Sequence, residues 1–475
     1  MSVNDFKTNA IRLILSVLYL MSLGFFTPLK AESLQNDSES ALTLEVAVNA
    51  AIKFDPWLSG NQHQQDSIES LSVAAGTLPD PKISLGIANI AADSFDFNQE
   101  SMTQFKVSVS QMFPRGESLT LKKKQLQLIG SQYPFQREDR KAKVTVIAAK
   151  LWLDAYKAQE SIALIENDRA LFEQLADVAQ ASYSSALGKT RQQDIVRAQL
   201  ELTRLDDRLT QLRQTKEISE QKLFEWLNSG INQEPIAPQV ATSGIHFARR
   251  LPSIGMLNES LFTSKSEATP QFLYQYLSKH PVVAALKQKI RASESGIDLA
   301  EQNYKPEWGV SAGYGVRNDA STGMDRADLF SIGVSFDIPL FTSNRQDQQV
   351  RSAISKAAAV KTEKWLLIRK LIASFEANRT QLIRLNERQK LYQKRLLPQM
   401  HDQAEASLTA YTNDDGDFAE VVRSRIAELN ASIDALSINV ERQKIIVQLN
   451  YYFMKSADEI ISNNGKTTSH LGENQ

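Results

Sequence analysis

The stretch Trp308-Gly309-Val310-Ser311-Ala312-Gly313-Tyr314-Gly315-Val316 decides the fold. Trp308, Val310, Ala312, Tyr314 and Val316 alternate with Gly309, Ser311, Gly313 and Gly315, so the predicted strand has one apolar face and one small or polar face. A second strand follows, with Phe330, Ile332, Val334, Phe336 and Ile338 set against Ser331, Gly333, Ser335 and Asp337. The pattern also occurs twice earlier. Ile83, Leu85 and Ile87 alternate with Ser84, Gly86 and Ala88, and Phe105, Val107 and Val109 with Lys106, Ser108 and Ser110. A membrane-spanning barrel uses segments of about 9–11 residues with an apolar outer face and a polar inner one. A small soluble sheet laid on helices is the other reading. The face of glycine and serine argues against it, because a packed sheet gains little from such a face and a water-filled lumen tolerates it.

Three prolines place the strand pairs in a duplication. Pro56, Pro81 and Pro114 recur as Pro281, Pro306 and Pro339, each 225 residues on. Asp194-Ile195-Val196-Arg197 returns as Glu420-Val421-Val422-Arg423 at 226. Proline restricts its own backbone and that of the residue before it, so a shared proline grid implies a shared chain path. The period is far longer than that of a solenoid. We therefore expect repeat 1 over 32–228, a connector over 229–265, repeat 2 over 266–461 and a polar, disordered tail over 462–475. The connector holds Pro235, Pro238, Gly244, Pro252 and Gly255.

Each repeat is predicted to open with a helical stretch, Leu44 to Gly76 and Phe272 to Asn303, broken by its first proline. After the strand pair comes a long helical hairpin, roughly Glu117 to Asn228 and Asn344 to Lys455, with Pro134 and Pro398 as the internal prolines. A first arm of ~65 residues would reach about 100 Å. The returning arms carry heptads. Ile195, Ala198, Leu202, Leu205, Leu209 and Leu212 step by 3 and 4, as do Val422, Ile426, Leu429, Ile433, Leu436 and Val440. Arg204, Asp206, Asp207 and Arg208 fall between them as a solvated face.

Composition narrows the class. A net charge of −1 and a pI near 6.6 give no sign of a nucleic-acid partner. At 42% hydrophobic residues the 475-residue chain is not a bundle of membrane helices. Lys7 and Arg12 precede an apolar run from Leu13 to Phe26 and then Pro28-Leu29-Lys30-Ala31, the order of a secretory signal over 1–31. Cysteine is absent, which excludes disulfides, thiolate chemistry and an N-terminal lipid acceptor. Four strands cannot close a membrane barrel, and open edges are not tolerated in lipid. Several chains must share one: two give eight strands, three give twelve.

No enzymatic constellation presents itself. Histidines 63, 246, 280, 401 and 470 lack ligand spacing, so no metal site is expected, and His280 beside Pro281 reads as a surface residue. Gly188-Lys189-Thr190 is not a phosphate loop, since Tyr183 stands where that motif needs glycine. No nucleophile, base and orienting group occur together, and no cofactor is implied. The acidic cluster Asp414, Asp415 and Asp417, with Glu420 one turn on, has two readings. It is a solvated turn, or, multiplied around a symmetry axis, a ring that attracts cations at a pore mouth. Arg423 lies within helical reach of Glu420.

Helix, strand pair, proline and long hairpin, all duplicated behind a signal sequence, resemble the outer-membrane efflux proteins of the TolC family over essentially the whole mature chain. The local signature of that family is the hairpin tip: Tyr or a small residue, then Gly, then Asp six residues on. Gly188 and Asp194 fit in copy one, and Tyr411 and Glu420 in copy two. Asp414 stands where glycine is usual, with the glycine displaced to Gly416, and Arg423 replaces a second acid. The resemblance implies a homotrimer with a twelve-stranded barrel in outer-membrane lipid and a helical tunnel in the periplasm of a Gram-negative cell. Its partners would be a periplasmic adaptor and an inner-membrane pump. It also places Asp194, Tyr411, Asp414, Asp415, Asp417, Glu420 and Arg423 at the pore constriction, and Leu187, Gly188, Lys189, Thr190 and Gly416 at the adaptor contact. Leu78-Pro79-Asp80-Pro81, Met102-Thr103 and Val109-Ser110-Gln111-Met112-Phe113-Pro114 further resemble the strand region of members that serve heavy-metal efflux pumps. A soluble coiled-coil adaptor and a structural envelope protein are the competing classes; neither explains two strand pairs.

Overall fold

Residues 41–184, 191–227, 246–257, 269–320, 322–413 and 416–454 are described by the structure, a computed structural model. α1 (Leu44–Lys53) runs into α2 (Pro56–Ala75), and α6 (Pro270–Leu277) into α7 (Pro281–Glu301). Pro56 and Pro281 each open a helix, where the missing N–H costs nothing and the fixed φ is already helical. The preceding residue supplies the cap. Asp55 Oδ1 accepts from the Trp57 amide at 3.1 Å, and His280 Nδ1 from the Val282 amide at 3.3 Å.

Four strands follow the predicted alternation: β1 (Lys82–Ala88), β2 (Gln104–Phe113), β3 (Trp308–Val316) and β4 (Leu329–Phe336). They form one antiparallel sheet in the order β1-β2-β3-β4. The β2–β3 seam, with Phe113 opposite Trp308 and Phe105 opposite Val316, joins the two copies. Beside the seam, the Arg115 guanidinium pairs with Asp337 and donates to the Lys305 carbonyl at 2.7 Å.

The hairpins comprise α3 (Ser118–Gly130), α4 (Tyr133–Ser184) and α5 (Gln192–Leu227), then α8 (Gln346–Leu391), α9 (Leu397–Thr412) and α10 (Phe418–Tyr452). The expected unbroken first arm is broken in copy one and runs on through a π turn in copy two. In copy one the helix stops at Gly130 and restarts at Tyr133, one residue before Pro134. In copy two Pro398 is absorbed by a π turn over Tyr392–Leu396. Proline has no N–H to give and its ring crowds the carbonyl four residues back, here Lys394 inside the wider turn. The 52 residues of α4 therefore reach about 78 Å.

Side by side, α2, α3, α7 and α8 carry the sheet, while α10 packs on both α4 and α8. That central position explains the wide buried surface of α10, beyond its heptad stripe. Its heptad partner in copy one behaves as predicted, with Ile195, Ala198, Leu205 and Leu209 buried and Arg204, Asp206 and Asp207 exposed. The connector is less of a linker than its composition suggests. Over 246–257 it is irregular but anchored: Phe247 is buried edge-on against Trp152 at 5.9 Å, and the Ile254 amide donates to Gln443 Oε1 at 3.1 Å.

His280 departs from expectation. It is 1% exposed, not a surface residue, with Nε2 2.9 Å from the Tyr451 carbonyl. The Tyr451 ring lies edge-on at 4.7 Å, and its hydroxyl donates to Asp139 Oδ1 at 2.7 Å. Nothing local to His280-Pro281 signals this burial, because the covering residues lie on α10.

Candidate functional site: the open sheet and the hairpin tips

Among the described residues no helix covers either face of the sheet. Ile83, Leu85, Phe105, Val107, Val109, Val310, Phe330, Ile332 and Val334 are all exposed, Ile332 to 70%. Water would not leave such a continuous apolar face uncovered. Register divides it into bands. Phe113, Trp308 and Phe336 stand in one row, with the Trp308 and Phe336 rings 4.9 Å apart. Tyr314 faces Phe330 in a second row, six residues along β3. At about 3.3 Å per residue the rows are roughly 20 Å apart. An apolar band of about 25 Å between aromatic girdles is the outer surface of a membrane barrel. The outer edges of β1 and β4 have no strand partner among the described residues.

The strand-joining loops lie at the far end from the helices. Arg317 fastens them, donating to the Ala327 carbonyl at 2.7 Å and the Ser101 carbonyl at 3.3 Å, while its amide donates to Asp328 Oδ1 at 3.0 Å.

Of the residues expected at the tips, Leu187, Gly188, Lys189, Thr190, Asp414 and Asp415 lie outside the described residues. In copy one Asp194 is 6% exposed, and its Oδ2 accepts from the Arg191 amide at 2.9 Å. A carboxylate in the third helical position reaching back to the cap amide is half of a capping box. In copy two Asp417 caps α10 by accepting from the Ala419 amide at 3.3 Å. Glu420 forms an ion pair with Arg423, both partners being exposed. Tyr411 packs on Phe418, ring centroids 5.6 Å apart, and belongs to the apolar cluster joining both hairpins through Ile195, Val421 and Val422. Gly416 is sterically required: a Cβ there would stand 2.5 Å from the Tyr411 amide nitrogen.

Above the tip is a network with little sequence signal. Arg425 donates to Glu405 Oε1 at 2.5 Å and to Glu428 Oε2 at 2.9 Å, and His401 Nδ1 lies 2.7 Å from Glu428 Oε1. The hydrogen bond to Glu428 raises the His401 pKa. Asp168, on α4, is also raised, by burial first and then by the Glu428 charge. Only the spacing of Arg425 and Glu428 was readable as a helical pair; Glu405, His401 and Asp168 meet them through tertiary packing.

The sheet is thus uncovered, girdled and edge-open, and is carried on duplicated helical hairpins. Solved structures have the same fold. The outer membrane channel CmeC of Campylobacter jejuni superposes with a TM-score of 0.70 at 12% identity, covering 89% of this chain and 88% of that one. For CusC, described with its transmembrane channel formation, the values are 0.67, 12%, 90% and 96%. For the open-state MtrE outer membrane channel of Neisseria gonorrhoeae they are 0.66, 12%, 86% and 88%. The fold is thus the TolC-like outer-membrane channel fold, and these neighbours are channels, not enzymes. No family model and no curated relative matches the sequence.

Proposed function

We propose that three copies of this chain form a passive exit duct in the outer membrane of a Gram-negative cell. Twelve strands would close the barrel and the hairpins would stand in the periplasm. The observation that carries this reading is the four-stranded sheet with a bare, girdled apolar face and two open edges, which is stable in lipid only when other copies complete it. The duct has no energy source, so an inner-membrane pump drives transport and a periplasmic adaptor couples the two. Residues Leu187 to Thr190 and Gly416 would meet the adaptor. Asp414, Asp415, Asp417 and Glu420, with Tyr411 and Arg423, would line the narrow mouth, and the Asp194 cap would hold the neighbouring tip in shape.

Metal cations are the cargo to which the strand resemblance points. Among the described residues no group of three or more His, Asp or Glu is placed to hold a metal ion. The test is extraction of the mature protein. It should require detergent, migrate as a trimer and produce stepwise conductance in planar bilayers. A stable monomer in buffer without detergent would overturn the proposal.

A further inference from the structure

The inner face of the sheet carries two positive side chains and no negative one. Its positions are Lys82, Ser84, Gly86 and Ala88 on β1; Gln104, Lys106, Ser108, Ser110 and Met112 on β2; Gly309, Ser311, Gly313 and Gly315 on β3; and Leu329, Ser331, Gly333 and Ser335 on β4. Lys82 begins β1 at the helix end. Lys106 lies opposite Gly86 and Gly315, two residues inside the loop end of β2. It is half-buried and in no ion pair among the described residues.

The glycines of β3 are the slots that hold the long side chains of β2. A Cβ on Gly313 would stand 2.9 Å from Lys106 Cε, one on Gly309 would stand 2.8 Å from Met112 Sδ, and one on Gly315 would strike the Gln104 amide. These chains therefore lie flat across bare backbone. The lysine stem is held at the wall, and its ammonium has no carboxylate on the inner face of any strand to neutralise it.

We propose that Lys106 forms a ring of positive charge inside the barrel, just within the acidic exit loops, that favours anionic counter-ions at that level. This rests on the trimeric duct proposed above, which sets three such ammonium groups around one lumen. The charge is opposite to that of the acidic tip and of the exit-loop acids Asp93, Asp96, Glu100, Asp319, Asp325 and Asp328, so it sets a local positive band inside the barrel and not the sign of the whole exit end. A wide lumen limits the effect to low ionic strength, where the Debye length is about 30 Å at 0.01 M against about 10 Å at 0.1 M.

The experiment is reversal-potential measurement on the full mature trimer in planar bilayers, across a KCl gradient from about 10 to about 100 mM. Lys106→Gln should lower the chloride-to-potassium permeability ratio by about twofold and Lys106→Glu by more, whereas Lys106→Arg should match wild type. Gly313→Ala, which keeps the charge but closes the slot, should retain the wild-type ratio. Inorganic triphosphate added on the loop side should reduce conductance of wild type and Lys106→Arg but not of Lys106→Gln. Equal permeability ratios and equal triphosphate block in wild type and Lys106→Gln would overturn the ring while leaving the duct intact. Absence of any conductance in wild type would overturn the duct itself, and the ring with it.

Discussion

Asp55 and His280 occupy equivalent places, 225 residues apart, and the two copies hold them by different chemistry. Both cap a helix that opens with proline, and both are buried. Asp55 is met by Arg140, with Nε to Oδ2 at 2.7 Å and Nη2 to Oδ1 at 3.3 Å. The guanidinium also lies 5.5 Å from the Trp57 ring and 5.3 Å from that of Trp226. His280 is met by the Tyr451 carbonyl, and Tyr451 in turn by Asp139. Asp139 and Arg140 are neighbours on α4, so one helix serves both joints. The difference teaches that a duplicated backbone needs the cap at each joint but not the same partner. Copy one uses a charge pair shielded by tryptophans; copy two uses a neutral imidazole.

The largest expected effect breaks the copy-one joint. Asp55→Ala removes a helix cap and the charged hydrogen-bond partner of the partly exposed Arg140, which together cost about 2–3 kcal/mol. Asp55→Ala should lower the denaturation midpoint of the detergent-solubilised protein, followed by helical circular dichroism, by that equivalent. A midpoint equal to wild type would show that the pair only decorates the joint.

The tips come next. Gly416→Ala drives a Cβ into the Tyr411 backbone, an overpacking cost of about 2 kcal/mol. Gly60→Ala, inside α2 with nothing within 4 Å, should instead stabilise by about 0.5–1 kcal/mol. The contrast is read in one denaturation series, and equal shifts for the two variants would remove the steric account of the tip.

A smaller effect separates the joints by pH. Burial lowers the His280 pKa below its ordinary 6.5, so the unfolded chain takes up the proton first. The stability of the copy-two joint is full above pH 6.5 and falls as the pH drops from there toward the folded value. His401 has the opposite sign. Its pKa is raised, so its contribution is present below 6.5 and is lost as the pH rises through the folded value. His280→Gln should lower the midpoint at neutral pH and flatten the acid side of a midpoint-against-pH curve. An acid limb as steep as that of wild type would place the titration elsewhere.

The smallest stability change is expected at Arg423. An exposed pair contributes at most about 1 kcal/mol, so Arg423→Ala should scarcely move the midpoint. If the acids of the second tip form the mouth of the duct, releasing Glu420 should nevertheless raise single-channel conductance. Wild-type conductance in this variant would leave Asp417 and Glu420 as helix-start residues, like Asp194 in copy one.

Much of this was legible because it is local. Alternation from Trp308 to Val316 dictated which side chains share a face, and that geometry holds wherever the strand lies. Pro56 and Pro281 announced breaks in the opening helical stretches, and the heptads of α5 and α10 announced their buried stripes. The capping role of Asp194 was within reach too, since an acid in the first turn of a helix is a local signal.

What the sequence by itself determined is the repeat, its element types and the two-faced strands, all set by backbone restriction and periodicity over a few neighbouring residues. Only the tertiary structure decided the rest. Pro134 follows a break between two helices, while Pro398 is accommodated by a π turn. His280 is buried because α10 returns from 171 residues away to cover it. Lys106 lies flat because β3 of the other copy presents Gly313 diagonally across from it, two residues from its register partner Gly315. Such outcomes depend on which surfaces meet, and contacts between residues this far apart leave no period in the chain to read.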